Sequence, residues 1–403
     1  MKKKIMVLIF YMIAVISLTG CFDANELDEL GISLILGFDV VEDKLLITAE
    51  VVDPQYSSSS SDTGEGSTVK YVQGIGNTVF EAFRDITLKF DRRIYAAHNK
   101  VLIFGEELAR SGLITHIDQL FRDREQRESA FMLIAKGARA YEVMGVNSGL
   151  ETVPANYILD LIKNINNNPK SIDTNIISYM QHYYHEGHHP IVGVIEKKRK
   201  NVIDKTSEDK GSEEYELSII GSAIFRKDKL IGYLNGNDTK AVNYLLNNIE
   251  NGIITFPIFN SSEEKVQSEG LPTNVSSVNV IKGKTKNDIE INGDKVILKT
   301  KINIRAALGE LIAKTDVSNE EDIRRLEDAC SKTVEVNIES AVKKVQQEYG
   351  TDIFGFGMAF HHKYPKQWEK IKENWDEIFK DAEFQIEVKT SIIRTGLINK
   401  PTI

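Results

Sequence analysis

The sequence contains 403 residues, of which 41% are hydrophobic and 27% are charged, so the chain can bury a sizeable core and has room for more than one domain. This composition excludes a disordered chain, a collagen-like repeat and a polytopic membrane protein. The formal net charge of −9 argues against a nucleic-acid partner, and two cysteines are too few for a disulfide-stapled scaffold.

The N-terminus has the pattern of a cleaved secretory signal. Three lysines precede an apolar run that is shorter than the ~20 residues needed by a membrane-spanning helix. Leu18-Thr19-Gly20-Cys21 closes the run, so we predict a signal peptide at residues 1–20, cleaved between Gly20 and Cys21. Leu-x-Gly-Cys resembles the lipobox of bacterial lipoproteins, which implies lipidation of the Cys21 thiol. The alternative is an ordinary signal peptide followed by a chance cysteine.

Alternating strand and helix patterns predict an N-terminal α/β domain at residues 21–195. Two β-rich runs flank Glu42-Asp43-Lys44 and predict an antiparallel pair. Asn77 is placed to cap a helix whose apolar residues recur from Val79 to Phe90. Further elements expected here are strands at 69–73, 101–104 and 131–135 and an amphipathic helix at 113–121.

A charged stretch at residues 196–212 predicts a linker after this domain. The alternative interpretation of its basic run, Lys197-Lys198-Arg199-Lys200, is a patch that binds anionic lipid. Acidic residues follow within a few positions, which favours a solvated linker. A small middle domain is expected at 213–274. It should contain a strand pair around Lys227-Asp228 and a helix at 240–248, capped by Asp238 or Thr239.

Residues 275–403 are predicted to form a C-terminal domain of β-sheet and long helices. Asn292-Gly293 predicts a hairpin turn, and Ser318 with Glu321 predicts a capping box for a helix that Gly350 ends. Pro365 should begin a last helix with both tryptophans on one face, before a strand at 384–393. The predicted class is α+β, with three domains that each have a mixed or antiparallel β-sheet and flanking helices. If Cys21 is lipidated, Cys330 has no disulfide partner and is expected to be a buried or half-buried free thiol.

One segment of the sequence weakly matches a catalytic pattern. His185-Glu186-Gly187-His188-His189 has the HExxH spacing, in which His185 and His189 would bind zinc on one helix. Gly187 weakens a helix, and Pro190 disfavours the helical conformation at His189. We therefore expect that the protein is not an enzyme and binds neither a metal nor a cofactor. A tethered metallohydrolase stays as an alternative, which a measurement of metal content would test.

Three segments resemble the Ger(x)C lipoproteins, the C subunits of spore germinant receptors. The segment from Cys21 to Leu30 is similar to the family's CWDxxELxxL start, with Phe22 where tryptophan is usual. Residues 221–234 resemble its GxAxFxxxKLxGxL hairpin, and residues 352–357 with the tryptophan region to Trp375 resemble its C-terminal signature. The matches extend over nearly all of the chain after Cys21.

The resemblance implies a non-catalytic receptor subunit, lipid-anchored at the outer leaflet of the inner spore membrane. Its partners would be integral-membrane subunits of the A and B types, and its body would have three sheet-based domains. Phe354 and Phe356, between flexible glycines, are candidate partner contacts if they are exposed, and core residues under the last helix otherwise. The alternative function is a solute-binding lipoprotein that delivers a small molecule to a transporter, which predicts two similar lobes.

Overall fold

The structure is a computed structural model that describes residues 3–6, 29–52, 68–122, 129–146, 150–199, 215–258, 275–293, 295–312 and 317–394. Two β-sheets with packed helices form this part of the chain, which confirms the α+β class. None of its helices is long and apolar enough to cross a membrane. The predicted cleavage site, Gly20 and Cys21, lies outside the described residues.

The first sheet is built from nine strands. They are β1 (Leu30–Val41), β2 (Lys44–Val52), β3 (Val69–Gly76), β4 (Arg93–Tyr95), β5 (Val101–Gly105), β6 (Phe131–Ala135), β7 (Ile191–Arg199), β8 (Tyr215–Arg226) and β9 (Lys229–Leu234). Their order is β3-β2-β1-β5-β6-β7-β8-β9, and the short β4 also pairs with β1. Strands β1, β5, β6 and β7 are parallel, and antiparallel pairs flank them on both sides.

Helices cover both faces of this sheet, which explains why its central strands are buried throughout. The helices are α1 (Val79–Ile86), α2 (Glu106–Ser111), α3 (Ile114–Arg122), α4 (Ala140–Met144), α5 (Pro154–Lys163) and α6 (Ile176–Tyr184). One core lies under α1, α2, α3 and α6, and a second lies under α4 and α5. The first sheet therefore lies between two layers of helices, which gives three layers in all.

The second sheet has four strands and follows helix α7 (Gly236–Leu245). Its strands are β10 (Ile253–Pro257), β11 (Val275–Asn292), β12 (Lys295–Ile312) and β13 (Glu383–Arg394), in the order β10-β11-β12-β13. The packed helices are α8 (Glu320–Lys344), α9 (Phe356–Lys363), α10 (Pro365–Ile371) and α11 (Trp375–Asp381). Burial alternates along β11 and β13, so this sheet has one core face and one solvent face.

The middle region has no sheet of its own in the described part of the chain. Strands β8 and β9 continue the first sheet, and β10 belongs to the second. The expectation of three sheets is therefore wrong, because these strands complete the edges of two larger sheets. The predicted linker also begins inside β7, whose Arg199 pairs with Tyr215. The boundaries of the three domains stay a prediction.

Predicted turns are confirmed more often than predicted helix starts. Asn292 pairs with Lys295 across the hairpin, where Gly293 has φ +62°, and Gly350 adopts φ +54° after a π-helical turn at Val345–Tyr349. The helix caps are instead Thr78, Asn235 and Asn319, because their side-chain oxygens accept the free backbone N–H groups. The helix predicted to start at Pro365 is divided at residues 372–374. Cys330 is buried, as predicted.

Candidate functional site

The HExxH segment forms a loop between α6 and β7, which we call the histidine loop (residues 185–190). Helix α6 ends at Tyr184, His185 is extended with ψ 123°, and Gly187 has φ +76°. The segment therefore lacks the helical geometry that would place His185 and His189 on one metal ion. Within the described ranges, no group of three or more His, Cys, Asp or Glu side chains could hold a metal.

A second loop, the Asp352 turn (residues 352–357), packs directly on the histidine loop. The Asp352 carboxylate is completely buried and accepts backbone N–H groups from Phe354 and Gly355 at 2.9 Å and from Gly357 at 2.7 Å. The Trp375 indole donates a fourth hydrogen bond at 3.1 Å. Burial raises the pKa of Asp352, while hydrogen bonds such as that from Gly357 oppose the shift.

The two loops are joined through backbone groups. The His189 N–H donates to the Asp352 carbonyl at 2.8 Å, and His188 Nε2 donates to the Ile353 carbonyl at 3.2 Å. Gly187 and Gly357 cross so closely that a Cβ on Gly357 would lie 2.5 Å from Gly187 Cα. Glycine is therefore required at this crossing, since any side chain would separate the loops.

His189 and Asp376 connect the histidine loop to two further elements. His189 Nδ1 accepts from the Lys227 N–H at 3.0 Å, and its Nε2 donates to Asp376 Oδ1 at 3.1 Å. Arg226, in the same β8–β9 hairpin as Lys227, donates to the Tyr349 carbonyl at 2.6 Å. Both nitrogens of His189 are thus occupied within the protein, which leaves neither for a metal.

Each tryptophan of the chain donates to an acid at this junction. Trp368 donates to Glu186 Oε2 at 3.1 Å, as Trp375 does to Asp352. This hydrogen bond and the Lys372 ammonium, 3.3 Å from Glu186, lower the pKa of the Glu186 carboxyl. Trp368 is fully buried and Trp375 is 2% exposed, so both rings belong to the core.

His188 of the histidine loop packs against His182 of α6, with the two rings tilted by 35°. The rings of His182 and His188 have centroids 4.0 Å apart. Burial lowers the pKa of His182 to about 4 and that of His188 to about 3, so both rings are neutral at pH 7. Their Nδ1 atoms are buried and have no hydrogen-bond partner within the described part of the chain.

Phe354 and Phe356 are not exposed, so the expectation of a partner contact surface at these residues is wrong. They are 4% and 0% exposed, and their rings lie 6.2 Å apart beside Phe379 and Phe384. The Asp352 carboxylate folds the glycine-rich segment inward, and this explains their burial. The core alternative is confirmed.

Sequence reasoning selected both loops, but it gave Asp352 no role and missed the partners Arg226, Tyr349 and Asp376. An aspartate followed by glycines at 355 and 357 was a readable signal, because such a side chain commonly accepts from the backbone of the next few residues. We call this contact of the histidine loop with the Asp352 turn and the β8–β9 hairpin the clasp. It joins the two sheets. Asp352, Glu186, His189 and Asp376 are all engaged with groups of the protein, and beside the site lies an open cleft of about 570 Å³.

Two family models match nearly the whole chain after its first 22 residues. Residues 23–197 match the spore germination protein N-terminal domain, and residues 220–396 match the C-terminal model described as spore germination B3/GerAC like. The chain belongs to the Ger(x)C family of spore germination proteins.

Relatives in the family match over their full lengths. Spore germination protein B3 of Bacillus subtilis (strain 168) is 25% identical over 99% of this chain and 99% of its own. Spore germination protein KC of the same organism is 25% identical over 100% and 98%. Spore germination protein GerQC of Bacillus cereus is 21% identical over 96% and 98%.

A solved structure in the family has a similar fold. The crystal structure of the GerBC protein matches with a TM-score of 0.55 and 21% identity, over 89% of this chain and 97% of that one. Two segments that resemble family motifs take part in the clasp. The hairpin motif contains Gly232, which packs on the Tyr349 ring so closely that a Cβ on Gly232 would lie 2.2 Å from Tyr349 Cε1. The C-terminal signature contains the Asp352 turn. These motif residues therefore join the two sheets.

Proposed function

We propose that the protein is a lipid-anchored, non-catalytic subunit of a spore nutrient germinant receptor. The observation that carries this proposal is the match of both germination family models, together with relatives named as germination proteins over their full lengths. The lipobox pattern at Cys21 supports anchoring at the outer leaflet of the inner spore membrane.

The anchor would hold the body close to the membrane surface. Cys21 precedes the first strand residue, Leu30, by nine residues, which span at most about 30 Å when fully extended. Such a short tether raises the effective concentration of the body near membrane partners, so modest interfaces are sufficient for assembly. These partners would be the A-type and B-type integral-membrane subunits.

A coupling role agrees with the chemistry of the clasp. Asp352, Glu186 and His189 each bond to groups of the protein itself, in a site that joins the two sheets. A solute-binding lipoprotein of the two-lobed kind gains no support, since the sheets of the described residues have nine and four strands.

Spores that lack the gene would test the proposal. We expect deletion to abolish dipicolinic acid release in response to particular amino acids, sugars or nucleosides, with dodecylamine-triggered release intact. Unchanged responses in a strain that also lacks redundant receptors would contradict the receptor role.

The two cysteines give a matched pair for complementation of these spores. Cys21→Ala should fail to restore the nutrient response and should leave the protein out of the membrane fraction. Cys330→Ala, at a buried free thiol, should restore both. Membrane association and full response of Cys21→Ala would contradict the lipid anchor while leaving the receptor role standing.

A further inference from the structure

A cavity of about 530 Å³ lies apart from the histidine loop's cleft and shares no lining residue with it. We call it the lysine cavity. Its walls come from the 167–170 loop after α5, from α7, from β10 and from the middle of α8. This volume lies within the range of small-molecule sites.

The polar lining is cationic and rich in amides. Lys170 and Lys240 line the cavity with Asn167, Asn168, Asn237 and Asn337, and its described lining contains no aspartate or glutamate. Lys240 donates to the Ile253 carbonyl, and the Lys170 ammonium has no ion pair in the described ranges. Burial and the nearby Lys170 charge lower the pKa of Lys240. Two ammonium groups thus share one cavity in a protein of net charge −9.

The lining also has an apolar part. Ile253, which is 61% exposed, lines the cavity, with the nearly buried Ile254, Val334 and Ile338 behind the surface. Tyr244 also lines the cavity, and its buried hydroxyl has no hydrogen-bond partner among the described residues. A lining that combines apolar side chains with a few polar groups is typical of a small-molecule site.

Lys170 is not needed to hold these walls together. The Asn243 amide fastens the loop to α7, since it donates to the Pro169 carbonyl at 2.9 Å and to the Ser171 carbonyl at 2.8 Å. The Lys344–Asp238 ion pair at 2.8 Å joins α7 to α8. The Lys170 charge is therefore left without a structural role in this region.

We propose that the lysine cavity binds a small organic carboxylate, with its charged group between Lys170 and Lys240 and its apolar body against the exposed Ile253 side chain. The apolar part of the lining favours such a ligand over inorganic phosphate, which has no apolar group to place there. This site goes beyond the proposed receptor role and does not depend on it.

The test uses the full-length protein in detergent micelles and 4-fluorobenzoate as the probe. Binding is followed by broadening of its fluorine NMR line, with neutral 4-fluorobenzamide as the isosteric control. We expect Lys170→Met and Lys240→Met each to weaken benzoate binding about ten-fold or more, the cost of one charge-assisted contact. The exposed Lys366→Met should leave binding unchanged.

Three further results decide the assignment. Asn337→Trp, at an exposed lining position, should fill the entrance and abolish binding with an unchanged circular dichroism spectrum. Acetate should displace the probe at constant ionic strength. Equal binding of benzoate and benzamide, no benzoate binding, unaltered binding to folded Lys170→Met, or displacement by phosphate but not by acetate would each overturn the proposal.

Discussion

Asp39 and Glu50 are buried carboxyls of the first sheet, and each accepts backbone N–H groups from the start of a helix. Asp39 accepts from Ala140 at 2.7 Å in α4, and Glu50 accepts from Ala155 at 3.0 Å in α5. Burial raises the pKa of Asp39 to about 6 and that of Glu50 to about 7. A helix N-terminus favours a negative charge, but here desolvation is the larger effect.

The Tyr71 hydroxyl shows how a protonated Glu50 is accommodated. Its single proton has two acceptors, the Met144 carbonyl at 2.7 Å and Glu50 Oε2 at 3.0 Å. When Tyr71 donates to Met144, a protonated Glu50 can donate to the phenol oxygen. Glutamine at this position reproduces that arrangement, since its amide NH₂ is also a donor.

Glu50→Gln should therefore remove the loss of stability that ionisation of the buried Glu50 carboxyl causes at neutral pH. The folded pKa of about 7 is above the unfolded value of 4.5, so this group stabilises the fold below pH 4.5 and loses that contribution as pH rises to 7. Relative to wild type, the variant's free energy of unfolding should rise by about 3 kcal/mol between pH 4.5 and 8. Urea denaturation across this range measures the difference.

The comparison with wild type also removes the effect of the buried histidines. The lowered pKa values of His182 and His188 give the opposite dependence, with stability lost as pH falls below about 6.5 in both proteins. Glu377→Gln, at an exposed carboxyl of α11, is the control. A pH-independent difference for Glu50→Gln would show that Glu50 is ionised throughout.

At the scale of elements, the crossing of Gly187 and Gly357 sets how closely the histidine loop approaches α9. Gly357→Ala places a Cβ 2.5 Å from Gly187 Cα and 2.6 Å from Trp375 Nε1. We expect the free energy of unfolding to fall by about 1–3 kcal/mol, as in other overpacked sites. The tryptophan emission should also shift, because both tryptophans of the chain lie here.

Gly145→Ala is the matched control for this substitution. Gly145 ends α4 with φ −76°, and the nearest atom to an added Cβ is 3.8 Å away. Its stability should stay within about 0.5 kcal/mol of wild type, with unchanged emission. Equal effects of the two alanines would mean that the glycine crossing does not constrain the junction.

Local sequence patterns predicted elements better than they predicted their partners. The turn at Glu42-Asp43 was readable from the β-rich runs that flank it, and both residues adopt positive φ in a two-residue hairpin. Gly350 was readable as a helix end. The sheet that receives β8 and β9 was not, since pairing between distant strands leaves no local pattern. Likewise, the histidine loop and the Asp352 turn were both selected, but their contact joins residues more than 160 positions apart.

On the scale of the whole molecule, the two sheets share one core. Ile172, Ile191, Ile224 and Leu234 come from the first sheet's side and pack in the same cluster as the second sheet and its helices. The β8–β9 hairpin also docks on Tyr349, whose hydroxyl donates to the Tyr233 carbonyl at 2.9 Å. A large apolar interface of this kind couples domains that would otherwise move independently.

The two sheets should therefore unfold together in wild type. Tryptophan emission reports the second sheet's helices and their contact with the histidine loop, whereas far-ultraviolet circular dichroism reports both sheets, so the two urea transitions should coincide. Tyr349→Ala removes the hydrogen bond and the ring that fills the space over Gly232, and should separate the transitions. Tyr184→Ala, at a side chain that is 66% exposed, should keep them coincident. Separate transitions in wild type would mean that the shared core does not transmit stability from one sheet to the other, and the clasp would then be a contact between independent domains.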